Sequence, residues 1–196
     1  MRNRTMILWM ALAAFPLTGA AQAQAPAAGG APPPRPMTLT TTAWADGAQI
    51  PPKYTQAGDQ VSPALTWTNT PPGTQTFVLN MRDPDVARNK TAEDQVHWIV
   101  WNIPGTATGL PEGVAAGATR PDGSQQISAS GPSYRGPGAP ANGPFHHYTI
   151  EVYALDTKID VQPGADAWDT RTKIFQAMNG HILGKAVYVG LFRRPQ

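Results

Sequence analysis

Cysteine is absent from the 196 residues. That excludes disulfide cross-links, thiolate metal sites and a lipidated cysteine. Charge is scarce as well, at 14% of residues, and no run of like charge occurs. The apolar stretch near the start is shorter than the roughly 20 residues that a membrane span requires, so no stable membrane anchor is expected. The G-x-S-x-G, H-E-x-x-H, P-loop and dinucleotide patterns are all missing, which removes sequence support for an activated serine, a zinc protease helix or a nucleotide cradle. No internal repeat is visible. The reading is therefore of a non-enzyme without a cofactor.

What the chain does contain is turn chemistry, with 21 Pro and 19 Gly beside 41% apolar residues. Proline and glycine at this density interrupt long helices and favour short strands joined by loops. A length of 196 residues fits one domain with its own core. The fold class expected is β-dominated (α+β), with antiparallel strands and few helices.

Arg2 and Arg4 precede the apolar run from Met6 to Phe15, and Ala21-x-Ala23 follows. A basic start, a short apolar stretch and small residues at the exit are the parts of a secretory signal peptide. Residues 1–23 are read as that signal, cut after Ala23 in preference to Ala25, which Pro26 follows. Residues 24–36, rich in Ala, Gly and Pro, are read as a flexible linker. Residues 37–196 are read as the domain, with a periplasmic location expected. Removing residues 1–23 takes away Arg2 and Arg4 and leaves 13 basic residues against 13 acidic ones. The pI of about 9.0 is then no indication of nucleic acid or an anionic membrane as partner.

Short apolar segments recur between turn signals. Met37–Thr42, Leu65–Trp67 and Thr76–Met81 read as strands, the last stopped by Pro84, which has no N–H for a ladder. Val96–Ile103 reads as a central strand, and His147–Leu155 and Ala186–Phe192 complete the set. One helix is expected over Ala167–Met178, with Trp168, Ile174, Phe175 and Met178 on one stripe. Asp166 caps it, Gly180 ends it, and His181–Leu183 adds a further turn. The stretch from Gly105 to Tyr134 reads as loop with an edge strand near Gln125–Ser128.

Three places gather polar residues at strand ends or within apolar runs: Asp83-Pro84-Asp85, His97 between Val96 and Trp98, and Gly136–Pro140 followed by His146-His147-Tyr148. A buried His97 needs a hydrogen-bond partner, for which Asp83 and Asp85 are both candidates. Strand alternation puts His146 and Tyr148 on one side and His147 on the other. Imidazoles, a phenol and turn N–H groups suit a phosphate or carboxylate. Each feature also admits a structural role: a core histidine, a turn aspartate, a tight loop. Asp83, His97 and His146 would suffice for zinc or iron, but no accompanying base is evident and no metal is expected. Trp67, Trp98 and Trp101 read as core, with one of them a candidate for a pocket wall.

DPD at 83–85, HWIVWNIPG at 97–105, YRGPGAP at 134–140 and HHY at 146–148 resemble the phosphatidylethanolamine-binding protein family, most closely its bacterial Raf kinase inhibitor-like branch. LD at 155–156 and GHILGKAVYVGLFRR at 180–194 fit the same branch, so the likeness runs from Leu39 to Arg194. The resemblance implies an antiparallel β-sandwich-like domain with a small anion-accepting pocket at one end. Position by position it assigns to the pocket Asp83, His97, Gly136, Gly138, Pro140, His146 and Tyr148, with Asp85 bracing the loop. It further implies a small anionic or phospho-ligand, including a phospholipid headgroup. The alternative it raises is a modulator of an envelope protease or other protein partner. This chain departs from the pattern in three places: Val86-Ala87 follows DPD, Ala139 replaces a proline, and His147 replaces the arginine of HRY.

Overall fold

The computed structural model describes residues 35–196. The signal peptide expected over 1–23 and most of the linker over 24–36 lie outside the described residues. Among those described are eight strands and one α-helix: β1 (Thr38–Thr40), β2 (Leu65–Thr68), β3 (Thr76–Asp83), β4 (Gln95–Pro104), β5 (Gly109–Leu110), β6 (Gln125–Ile127), β7 (His146–Leu155), α1 (Ala167–Met178) and β8 (Ile182–Phe192). A three-stranded sheet has the order β1-β2-β5, and a five-stranded sheet the order β6-β4-β3-β7-β8. Every pairing within them is antiparallel.

The two sheets face one another across one core. Leu39, Leu65 and Trp67 of the small sheet pack with Phe77, Leu79, Trp98, Tyr148 and Ile150 of the large one. The rings of Trp67 and Phe77 lie 5.1 Å apart. A second core covers the opposite face of the large sheet, where Val78, Ile99, Trp101, Tyr153 and Leu155 meet Ile174 and Met178 of α1. Being covered on both faces explains why β3 and β4 read as near-continuous apolar runs rather than alternating ones. The Val96–Ile103 segment, as part of β4, is a central strand as expected, paired on both sides by β6 and β3. Trp67, Trp98 and Trp101 are all buried in these cores.

The helix has the expected bounds. Asp166 accepts from the N–H groups of Trp168 and Asp169, both at 2.8 Å, satisfying two of the donors left open at a helix start. Ile174 and Met178 face the sheet, while Trp168 and Phe175 flank the stripe. The further turn expected at His181–Leu183 does not form. Gly180 takes φ +84° and turns the chain, and Ile182 instead begins β8 opposite Leu155. The ladder to β7 offers those residues more backbone hydrogen bonds than a helical extension would. The edge strand near Gln125–Ser128 is present as β6, paired to β4 at Ile99–Trp101.

Candidate functional site

At one end of the large sheet, the last residue of β3, the start of β4 and the start of β7 lie side by side. Arg82 pairs with Thr149, and Asp83 with Gln95. Asp83 follows Phe77, Leu79 and Met81 on the inner face by simple alternation. His97 reaches that face differently. Met81 pairs with Trp98 and Arg82 with Val96, so His97 is the extra residue of a β-bulge. The bulge turns His97 to the inner side with Trp98, while Val96 packs in the outer core. His146 and Tyr148 share the inner side of β7, as the alternation requires.

These side chains line one cavity of about 160 Å³, together with Gly138 and Pro140 of the loop. His146 donates from Nδ1 to Asp83 Oδ2 at 2.8 Å, and Asp83 Oδ1 accepts from the Asp85 N–H at 3.1 Å. Asp83 is buried, so its carboxylate depends on those donors. His97 does not take an aspartate as its partner. Its Nδ1 donates to the Arg135 carbonyl at 3.0 Å, and the Arg135 N–H donates back to the His97 carbonyl at 3.0 Å. The bulge brings the histidine against the loop backbone, and His146 already donates to Asp83 Oδ2. Asp85 braces as expected: its Oδ2 accepts from His147 N–H at 2.6 Å and from His147 Nδ1 at 3.0 Å. Burial pushes the Asp85 carboxyl up, but these two donors outweigh it and hold the group below its ordinary range.

The loop N–H groups point elsewhere than expected. Gly138 N–H and Ala139 N–H both donate to the Tyr148 hydroxyl oxygen, at 3.1 and 3.0 Å. Burial, followed by the Asp83 carboxylate, raises the phenol pKa well above its ordinary value, so Tyr148 stays protonated. With two amides on its oxygen, the phenol directs its own proton to the Asp83 carboxylate. A proline at 139 would lack one of those amides, so the departure at Ala139 is what completes the clamp.

Gly136 does not line the cavity. A Cβ there would lie 2.8 Å from the Tyr54 carbonyl oxygen and 2.9 Å from Thr55 Cα, so glycine is needed for close backbone packing behind the loop. Gly138 lines the cavity, and a Cβ on it would come within 2.4 Å of the Gln56 amide. Gln56 itself, which nothing in the sequence singled out, donates to the Gly136 carbonyl at 2.7 Å and accepts from Arg194 at 3.0 Å. Arg135 also lines the cavity. A signal for it did exist: it is the one charged side chain between Asp122 and Glu151. None of Trp67, Trp98 or Trp101 lines the cavity.

The ligand atoms of Asp83, Asp85 and His146 lie within 4.8 Å of one another. This differs from the set considered from sequence, with Asp85 in the place of His97. The three groups are already engaged in the hydrogen bonds just described, an arrangement that satisfies them without an ion.

Burial lowers the His97 pKa, against the raising effect of the Arg135 carbonyl and of Asp83. In the unfolded chain this imidazole takes up a proton as the pH falls through 6.5. The folded form does so only lower, so the unfolded state binds more protons in between. Stability therefore falls as the pH drops below about 6.5. His97→Gln is expected to flatten the decline of the urea midpoint between about pH 8 and about pH 5.5. An unaltered slope in the variant would count against a buried, neutral His97.

The sequence profile of the family described as "Phosphatidylethanolamine-binding protein" matches residues 40–193. A UPF0098 protein of Methanothermobacter thermautotrophicus is 40% identical over 160 residues, covering 81% of this chain and 99% of that one. Among solved structures, Escherichia coli YbcL, described as a member of the mammalian PEBP family, superposes with a TM-score of 0.67 at 26% identity. That match covers 82% of this chain and 99% of YbcL. A homologue from Chlamydia trachomatis gives a TM-score of 0.66 at 28% identity, covering 81% and 98%.

Proposed function

The chain belongs to the phosphatidylethanolamine-binding protein family, and from that premise we propose that it is a non-catalytic binding protein whose cavity receives the phosphate-like group of a small anionic ligand. The observation that carries this reading is the convergence of Asp83, His97, His146 and Tyr148 on one cavity, from three strands distant in sequence. The cavity is lined by the Tyr148 phenol, hydrogen-bonded to Asp83, and by two imidazoles. It lies beside an arginine that has no carboxylate partner among the described residues. Of these, the guanidinium is the charged donor that an anionic oxygen requires, while each imidazole, its Nδ1–H already committed, keeps a second ring nitrogen that donates only when the ring is protonated. No side chain there stands as a serine or cysteine nucleophile beside a base. A volume of about 160 Å³ is small beside the roughly 300–1,000 Å³ of pockets for drug-sized ligands. It suits a headgroup rather than a lipid chain.

Calorimetry with phosphate, phosphoethanolamine and nucleotides tests this, and saturable binding of at least one is the expected result. No heat from any of them at millimolar concentration, with a folded protein, would end the proposal. His97→Ala is expected to weaken binding more than His147→Ala does, because the His147 side chain lies outside the cavity against Asp85. Equal losses would contradict that facing. Export to the periplasm is proposed with this function, on Arg2, Arg4 and Ala21-x-Ala23. An N-terminal sequence of the mature protein beginning at Gln24 is the result expected.

A further inference from the structure

We propose that the cleft between α1 and the outer face of the large sheet is a second ligand site, which takes a small monocarboxylate with an apolar body. The cleft has a volume of about 780 Å³ and shares no residue with the cavity at the sheet end. That size lies within the roughly 300–1,000 Å³ of small-molecule sites. β3 supplies Arg82, β7 supplies Glu151 and Tyr153, the loop before β4 supplies Asp94, and α1 supplies Arg171 and Phe175.

Two guanidinium groups stand side by side in this cleft because one carboxylate holds both. Asp94 Oδ2 accepts from Arg82 Nη1 at 2.7 Å, and Asp94 Oδ1 accepts from Arg171 Nη1. The Asp94 carbonyl accepts from Trp168 Nε1–H at 2.8 Å, which ties the loop to the helix that bears Arg171. Arg82 Nε lies 3.6 Å from the buried Glu151 carboxylate, whose oxygens already accept from Asn80, Tyr153 and Lys185. The network thus fixes both arginines but engages only part of each. Arg171 Nε and Nη2 make no hydrogen bond among the described residues, and both are open to solvent. The same holds for Arg82 Nη2. On one guanidinium, Nε–H and Nη2–H point the same way and form a fork that matches the two oxygens of a carboxylate. Donors held in place before the ligand arrives lose little freedom on binding it.

Charge narrows the class of anion. Arg82, Arg88, Arg171 and Lys185 are paired with Glu93, Asp94 and Glu151 along and behind the cleft, four positive groups against three negative. A surplus of one suits a monoanion, whereas a second negative charge would stand among three carboxylates uncompensated. The Tyr153 and Phe175 rings, edge to face at 6.0 Å, form the apolar part of the wall. They give the remainder of the ligand an apolar contact rather than a second polar one.

Calorimetry on the whole chain tests this with benzoate as monocarboxylate, phthalate as dianion, benzyl alcohol as uncharged analogue and inorganic phosphate as competitor. Benzoate is expected to bind saturably at millimolar concentration, about tenfold more tightly than phthalate, with no heat from benzyl alcohol. Saturating phosphate is expected to leave the benzoate affinity unchanged, because the two sites share no residue. Arg171→Lys keeps the charge without the fork and is expected to weaken benzoate about tenfold. Gln176→Glu adds a carboxylate at an exposed position of α1 lining the cleft, outside the arginine network, and is expected to weaken benzoate as well. It carries the test alone if Arg171→Lys does not melt cooperatively. Benzoate binding that survives both changes, or that phosphate displaces, would overturn the assignment to this cleft. Phthalate or benzyl alcohol binding as tightly as benzoate would overturn the monocarboxylate class. If benzoate does not bind at all, the second site falls and the anion reading of the first cavity stands on its own test.

Discussion

Replacing His146 by alanine is expected to lower the unfolding free energy by about 3 kcal/mol and to remove anion binding. The reason is the partner left behind. Asp83 is buried, and its Oδ2 loses the imidazole donor that now sits at 2.8 Å. Removing one member of a buried pair strands the other, at a typical cost of about 3–5 kcal/mol. The lower end applies because the Asp85 N–H still donates to Oδ1. Replacing Asp83 by asparagine in the same chain takes away the stranded charge. The double variant should therefore be more stable than the sum of the two single changes predicts, by about 1–2 kcal/mol. Urea unfolding of the four proteins measures this directly. Additive losses would mean that Asp83 and His146 are neighbours without being partners, and the electrostatic account of the cavity would fail with them.

The largest effect on stability is expected at Trp98, where alanine should cost about 3–5 kcal/mol. The indole is buried between the two sheets, and its Nε1–H donates to Gln126 Oε1 at 2.9 Å. Gln126 in turn donates to the carbonyls of Ala115 and Gly117, at 2.7 and 3.0 Å. The other side of the indole meets the Tyr134 ring edge-on at 5.5 Å, and the Tyr134 hydroxyl donates to the Tyr54 carbonyl at 2.8 Å. Alanine thus opens a cavity, strands a buried amide and removes the wall behind the loop that begins at Tyr134. Phenylalanine at 98 refills most of the volume but not the N–H, so about 1–2 kcal/mol of the loss should remain. Denaturant midpoints of the two variants separate packing from hydrogen bonding. Equal costs for alanine and phenylalanine would show that the indole N–H, not its bulk, is what Trp98 contributes.

Strand positions were legible in the sequence wherever one rule sufficed. The missing N–H of Pro84 stops β3 just after Asp83, and the side chain of Asp166 starts α1 at Ala167. Period-two alternation alone put His146 and Tyr148 on one side and His147 on the other. Legibility ended where two segments compete for the same residues. His181–Leu183 could prolong a helix or enter a strand, and the ladder to β7 decided the matter. His97 would be turned to the wrong face by strict alternation from Trp98, and the bulge opposite Met81 and Arg82 re-aims it.

The order and kind of residues along the chain determined by themselves that this is a β-rich domain of the phosphatidylethanolamine-binding family, and they named Asp83, His97, Gly138, Pro140, His146 and Tyr148 of its cavity but not Gln56 or Arg135. They could do so because turns, caps and alternation act over a few residues. Which group bonds to which was decided only by the tertiary structure. His97 takes the Arg135 carbonyl rather than an aspartate, the loop amides of Gly138 and Ala139 go to Tyr148 rather than outward, and Gly136 packs against Tyr54 and Thr55 behind the loop. Hydrogen bonds form over about 3 Å and depend on direction, so they are settled when segments tens of residues apart dock, at distances no local pattern encodes.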